Sequence, residues 1–196
     1  MEHFITEIKK QIDALLLEKE LILVAIAGPC TSGKTTLASH LAEIYDCNVF
    51  HMDDFFLRPE QRTPERFAEI GGNVDYERFQ EEVLAPLKER LPFCYRRFDC
   101  STFTFSTPIP ITPKQLNIIE GTYGHHPYFR NPYDLKVMLN VSPELQRKRV
   151  LQRPAFLHKW FFEEWIPMEN RYFAQDGKHP DIPVCLRVVI ANPHAY

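Results

Sequence analysis

The segment from Ala27 to Leu37, "AGPCTSGKTTL", constrains the fold of this chain more than any other stretch. It matches the pattern G-x-x-x-x-G-K-[ST] from Gly28 to Thr35, directly after the apolar run "LILVAIA". Glycines let a backbone curl so that successive N–H groups face a phosphate, and the N-terminus of a following helix favours the same anion. The pattern therefore predicts a nucleotide-binding loop between a buried strand and a helix.

The chemistry of this loop gives each part a predicted role. Lys34 can reach the β and γ phosphates, and the Thr35 hydroxyl can ligate Mg²⁺. GTPases, ATPase motors and small-molecule kinases share the motif, but this chain lacks the D-x-x-G and N-K-x-D patterns of a GTPase switch. We expect ATP and Mg²⁺ as cofactors, with the nucleotide held by Gly28, Pro29, Cys30, Thr31, Ser32, Gly33, Lys34, Thr35 and Thr36.

Short apolar runs alternate with helical patterns along the chain, which favours a parallel sheet. The predicted strands are 21–27, 47–52, 116–121, 135–141 and 184–190. The predicted helices are an amphipathic segment over 1–20, then 34–45, 75–91, 143–153 and 158–173. The expected fold is one α/β domain over 1–196: a P-loop NTPase-type parallel sheet of about five strands flanked by helices. A β-hairpin or loop excursion over 93–113 and a helical lid within 143–173 complete it.

Composition narrows the class of partner. The 196 residues carry a net charge of -3, which argues against a protein that coats nucleic acid. No apolar run approaches the length that spans a bilayer. The five cysteines show no C-x-x-C pairing and are typical of reduced thiols in a cytosolic protein. We expect a cytoplasmic protein without a nucleic-acid or membrane partner, and the sequence leaves a homo-oligomer open.

A carboxylate follows the second predicted strand in "NVFHMDDFF". In open parallel sheets, ligands lie beyond the carboxyl ends of the strands, so Asp53 should reach the edge that holds the phosphate loop. There it could accept a proton from an attacking hydroxyl or hold magnesium. The alternative is a helix cap or turn, where aspartate is common.

Several segments in order resemble the uridine kinase-like P-loop kinases, from about Leu21 onward. They are the phosphate loop, "HMDDFF", "GGNVDYERF", "FDCST", "IIEGTYGHHPYF" and "LQRKRVLQR". This group also contains nicotinamide riboside kinases and, more distantly, phosphoribulokinase and bacterial pantothenate kinase. The resemblance implies that Asp53, not Asp54, is the base toward the acceptor hydroxyl. It also implies that Glu120 supports magnesium, directly or through water, although Glu120 could instead cap the following turn.

The resemblance is weakest at the acceptor. It implies that Asp75 holds ribose hydroxyls, although an N-cap at this position is equally consistent with the pattern. In "RRFDCSTFTF", Phe98 and Phe103 stand where uridine kinases carry a base-reading tyrosine and histidine. Phenylalanine can stack on a base but cannot supply its hydrogen bonds. His125, with His126, could provide polar contacts instead; a surface loop is the alternative.

The basic segment "LQRKRVLQR" lies where these kinases place lid arginines over the transferring phosphate. Arg149 and Arg153 are four residues apart and share one helix face, whereas Arg147 lies elsewhere. The alternative is a solvated charged face. A second arginine cluster of the uridine kinase lid has no clear counterpart, because Pro154 ends the helix.

Together these features predict an ATP-dependent kinase that transfers the γ-phosphoryl group to a hydroxyl of a nucleoside-like metabolite. The predicted catalytic residues are Lys34, Asp53, Arg149 and Arg153. Two alternatives remain open at this point. One is a kinase for another acceptor, such as nicotinamide riboside, pantothenate or a sugar phosphate. The other is a regulator that binds ATP without an acceptor.

Overall fold

The computed structural model describes residues 2–176 and 185–190 of the chain. Its strands in chain order are β1 (Ile22–Ala27), β2 (Cys47–His51), β3 (Phe93–Tyr95), β4 (Phe98–Asp99), β5 (Thr104–Phe105), β6 (Ile109–Ile111), β7 (Leu116–Glu120), β8 (Leu135–Val141) and β9 (Cys185–Ile190). Its α-helices are α1 (Glu2–Glu18), α2 (Lys34–Ile44), α3 (Pro64–Ala68), α4 (Tyr76–Phe79), α5 (Ala85–Glu89), α6 (Pro143–Val150), α7 (His158–Trp160) and α8 (Ile166–Asp176).

Five strands form one parallel sheet in the order β2-β7-β1-β8-β9. The predicted α/β fold with about five parallel strands is therefore confirmed. β1 lies in the middle of the sheet, and all six of its residues are buried, as the continuous apolar run predicted. Residue 1 and residues 177–184 and 191–196 of the predicted single domain lie outside the described part of the chain.

Two apolar layers cover the sheet, one on each face. Side chains of β1 alternate between them, since successive residues of a strand point to opposite faces. Leu23 and Ala25 join an aromatic-rich cluster under α4 and α5. Val24 and Ile26 join the cluster formed with α1 and α2. The amphipathic N-terminal helix thus packs on the main body, as predicted.

The excursion between α5 and β7 consists of two antiparallel pairs. β3 pairs with β6, and β4 pairs with β5 between them. The predicted β-hairpin is confirmed, and Tyr95 and Phe98 anchor it by being buried. Tyr95 stacks on Phe55 at 5.5 Å between ring centroids, which ties the excursion to the segment that follows β2.

Three predicted helices differ from expectation in their details. The helix over 75–91 contains a π-helical segment, Gln80–Leu84, between α4 and α5. Another π-helical segment, Phe161–Trp165, joins α7 to α8. The basic helix predicted to reach residue 153 ends at Val150 and continues as a turn. None of the described helices combines the length and the apolar character that crossing a membrane requires.

Two substitutions in α1 should separate burial from helix propensity. Ile12 is fully buried against the sheet, whereas Leu17 on the same helix is 90% exposed. We expect Ile12→Ala to lower the free energy of unfolding by about 2–5 kcal/mol. Leu17→Ala should change it by about 0.5 kcal/mol or less. Urea denaturation followed by circular dichroism measures both, and equal losses would contradict the described packing of α1.

Candidate active site

The phosphate loop has the tight conformation that its glycines predict. Gly28 passes so close to β8 that a Cβ atom there would lie 2.2 Å from the carbonyl oxygen of Leu139. Gly33 has a φ of 97° and directly precedes α2. The first N–H groups of a helix have no partner within the helix, so the start of α2 offers them to an anion. Lys34 lies over the loop, and its Nζ donates to the Pro29 carbonyl at 3.0 Å.

A buried carboxylate stands beside this loop at the end of β7. Glu120 is 4% exposed, and its Oε1 accepts the Thr35 hydroxyl at 3.1 Å and His51 Nδ1 at 2.6 Å. The register places His51 of β2 opposite Glu120, so neighbouring strands deliver the pair to the same edge. The hydrogen bond to Glu120 raises the pKa of His51, against the opposing effect of burial.

The residues at this edge fit a magnesium ion that is held partly by phosphates. Thr35 and Glu120 provide a hydroxyl and a carboxylate, the oxygen donors that Mg²⁺ prefers. Within residues 2–176 and 185–190, no group of three or more His, Cys, Asp and Glu side chains could hold a metal by itself. Magnesium sites that use one or two carboxylates plus substrate phosphates do not need such a group.

The two aspartates after β2 face different surroundings. Asp53 lies in the short 3₁₀ helix Met52–Phe55 and lines a cavity of about 230 Å³ together with Lys34 and Glu120. Its side chain is open to that cavity, yet desolvation by the surrounding protein raises its pKa, and Lys34 opposes this shift. Asp54 instead accepts the Tyr95 hydroxyl at 3.1 Å. The structure thus brings Asp53, rather than Asp54, to the phosphate loop.

The lid arginines lie beside the loop. Arg149 Nη1 donates to the Thr31 carbonyl at 2.8 Å, and Thr31 has a left-handed φ of 62°. Arg149 and Arg153 line a second, open cavity of about 490 Å³ with the start of α2. Arg153 also lines the cavity that contains Asp53. The hydrogen bond to the loop shows that Arg149 is not simply solvated, whereas Arg153 is exposed and its role stays a prediction. Arg147 lies over the Phe162 ring.

Sequence reasoning missed one buried acid, Glu169 of α8. It is 5% exposed, and its Oε2 accepts the backbone N–H of Cys30 at 2.9 Å. Its Oε1 accepts the Thr122 hydroxyl at 3.4 Å. The available signal was helical spacing, because Trp165, Glu169 and Tyr172 recur at i, i+4 and i+7. A carboxylate on such an aromatic face needs a polar partner.

Three solved structures share this architecture. A possible uridine kinase from Bacillus stearothermophilus is 21% identical, with a TM-score of 0.64 over 92% of this chain and 99% of that one. A candidate fructose transport system kinase from Silicibacter sp. TM1040 is 20% identical, with a TM-score of 0.67 over 92% and 98%. The YGR205w protein is 17% identical, with a TM-score of 0.68 over 95% and 93%.

This chain has the fold of the uridine kinase-like P-loop kinases. No family model matches it, and no curated protein matches it by sequence. The coverage of both chains exceeds nine tenths in each comparison, so the likeness is not confined to the sheet.

The residues that the uridine kinase-like resemblance assigned to the acceptor are not part of the lining of the cavity that contains Asp53. Asp75 caps α4 by accepting the Arg78 N–H at 3.1 Å, and it also accepts Gln61 Nε2 at 2.8 Å. Phe98 is buried against the rest of the excursion, and Phe103 is 54% exposed. None of the three lines either cavity. Their roles in acceptor binding stay predictions.

The histidine pair occupies the interior instead of a surface loop. His125 is 5% exposed, and its Nε2 donates to the Ala25 carbonyl at 3.4 Å. His126 stacks on Tyr76 at 4.3 Å between ring centroids and donates to the Ile70 carbonyl at 2.7 Å. The surface-loop interpretation was therefore wrong, since both rings are buried. His125 does not line either cavity, so its position does not favour a contact with the acceptor.

The thiol of Cys30 should react slowly with alkylating reagents, although it precedes a helix. Burial raises the pKa of the Cys30 thiol, Glu169 raises it further, and Lys34 and Gln146 oppose the shift. We expect iodoacetamide near neutral pH to label Cys30 more slowly than the exposed Cys94, because the thiolate is the reactive form. Peptide mass spectrometry over time measures both rates in one sample.

A second arm of this experiment uses Glu169→Gln, which removes the negative charge beside the thiol. Labelling of Cys30 should become faster in this variant, while labelling of Cys94 stays unchanged. If Cys30 reacts as fast as Cys94 in the unaltered chain, the described surroundings of the thiol are incorrect.

Proposed function

We propose that this chain is an ATP-dependent kinase that phosphorylates a hydroxyl of a small, nucleoside-like metabolite. The observation that carries the proposal is that Asp53 and Lys34 line one cavity next to the Thr35–Glu120 pair. A phosphate-binding lysine, a metal-supporting carboxylate and a second carboxylate facing the same space form the minimum set for phosphoryl transfer to a hydroxyl.

In the transfer step, one bond to the γ-phosphorus replaces another. The acceptor oxygen forms a bond to the γ-phosphorus, the bond to the bridging oxygen breaks, and ADP leaves with the electron pair. Asp53 accepts the hydroxyl proton, and its raised pKa suits this role because a stronger base holds the proton better. Lys34 and the loop N–H groups hold the phosphates in line.

Charge compensation comes from both sides of the γ-phosphate. Arg149 and Arg153 line the cavity at the loop and can neutralise charge that develops on the transferring group. Bound Mg²⁺ would supply further neutralisation of the β and γ phosphates. Thr35 and Glu120 are the side chains that would hold it. His51 fixes the Glu120 carboxylate through the 2.6 Å hydrogen bond.

A coupled ADP-release assay against a panel of acceptors tests the proposal. The panel comprises ribo- and deoxyribonucleosides, nicotinamide riboside, pantothenate, free sugars and sugar phosphates, each with Mg-ATP. We expect ADP release to depend on one acceptor class, with a phosphorylated product visible by mass spectrometry. Turnover of ATP at a rate that no acceptor changes would contradict the kinase proposal and favour an ATP-binding regulator.

Asp53→Asn should separate nucleotide binding from transfer. The amide cannot accept the proton, so we expect acceptor-dependent kcat to fall about 10²–10⁴-fold while Mg-ATP still binds. Asp54→Asn is the matched control, because Asp54 accepts a hydrogen bond from Tyr95 and does not line the cavity. Stopped-flow transfer rates and nucleotide titrations measure both properties. A larger loss in Asp54→Asn would show that the base is the other carboxylate.

A further inference from the structure

Apolar and aromatic side chains contribute to the lining of the cavity that contains Asp53. Those residues are Met52, Phe56, Val74, Tyr123, Phe161 and Trp165. Aromatic walls offer flat faces for stacking, and a few polar groups among them usually fix the orientation of a ligand. Which polar groups do so here determines what acceptor the site prefers.

Besides the Thr31 hydroxyl in the phosphate loop, two buried polar atoms carried by residues of this lining have no hydrogen-bond partner. They are Asn73 Oδ1 and the hydroxyl oxygen of Tyr123. Tyr123 is 3% exposed, so water does not solvate its side chain freely. Buried polar groups are nearly always paired, and leaving one unpaired destabilises the folded chain. A ligand that supplies the missing partners therefore gains affinity.

Backbone geometry places the loop that carries Asn73 against Tyr123. Gly71 has a φ of +62°, and a Cβ atom there would lie 3.1 Å from Cγ and Cδ1 of Tyr123. The loop that carries Asn73 two residues later therefore packs directly on the Tyr123 ring. Tyr172 fixes the ring further, edge to face, at 5.0 Å between centroids. Burial raises the pKa of Tyr123, and nearby Glu169 raises it further, so the hydroxyl keeps its proton and can donate it.

The charges of the cavity disfavour an anionic acceptor. Asp53, Glu120 and Glu169 line it, and among the described residues Lys34 and Arg153 are its only lysine and arginine. Both of these cations lie at the phosphate loop, where the nucleotide would engage them. A carboxylate or phosphate on the acceptor would therefore meet acidic groups without a spare cation.

We propose that Asn73 and Tyr123 select the acceptor, and that this acceptor carries no negative charge. It would present a hydrogen-bond donor to Asn73 Oδ1 and an acceptor to the Tyr123 hydroxyl, with a flat face against the aromatic lining. The inference rests on the proposed function only in treating this cavity as the acceptor site. The residues that select the acceptor would then lie in the loops that follow residues 70 and 120, and not at Phe98 and Phe103.

Tyr123→Phe tests the proposal because it removes only the hydroxyl. We expect kcat/KM for the preferred acceptor to fall about 10- to 100-fold, mainly through KM, with KM for ATP unchanged. The melting temperature should not fall, since an unpaired buried hydroxyl has been deleted. Tyr133→Phe is the matched control: its hydroxyl is also buried without a partner, but Tyr133 does not line the cavity. Asn73→Ala should lower kcat/KM for the same acceptor by a similar factor.

The charge of the acceptor is tested with matched compounds. Pantothenate and its uncharged alcohol, panthenol, differ at the carboxylate, and nucleosides are compared with sugar phosphates. A preferred acceptor that is anionic would overturn the proposal. The proposal would also be overturned if Tyr123→Phe lowered kcat/KM for the acceptor no more than Tyr133→Phe does. That result would leave the kinase function itself intact.

Binding gives a readout that does not depend on transfer. Trp165 lines the cavity, so quenching of tryptophan fluorescence by the same compounds reports occupancy. If no compound accelerates ADP release but a nucleoside binds and Tyr123→Phe weakens it, the inference holds and the kinase proposal fails. If none of the compounds binds the unaltered chain, the inference is wrong as well.

Discussion

The hydrogen bonds of the buried Glu120 carboxylate hold the site together. This carboxylate closes β7 and accepts from Thr35 at the start of α2 and from His51 at the end of β2. A buried carboxylate without partners would be costly, so its environment favours this one arrangement of the three elements. The phosphate loop, the end of β7 and the segment carrying Asp53 are consequently fixed relative to each other.

A second set of contacts comes from the far end of the chain. Arg149 of α6 donates to the carbonyl of Thr31, and Glu169 of α8 accepts the N–H of Cys30. These residues lie more than 110 positions after the loop, yet they contact two neighbouring residues of it. The conformation of the loop and the positions of α6 and α8 are therefore coupled directly through these hydrogen bonds.

The sequence predicted the site well where a feature depends on residues close together in the chain. The phosphate loop is specified by glycines at fixed spacing, and the position of Asp53 follows from the strand that precedes it. At the acceptor side, the sequence left alternatives open. Asp75 is an N-cap, which the residue type predicts as readily as a ligand contact, and Phe98 packs within the excursion. Glu169 has no motif of its own, because its partner is a backbone N–H.

By itself, the sequence determined the alternation of strands and helices, the loop that follows β1 and the carboxylates at the ends of β2 and β7. These features depend on periodicity and on residues close in the chain. Only the tertiary structure decided where His125 lies, and that Glu169, Asn73 and Tyr123 line the same cavity. Those outcomes depend on packing between segments that are distant in the chain. The partners of such a side chain are set only when the helices and loops pack on the two faces of the sheet.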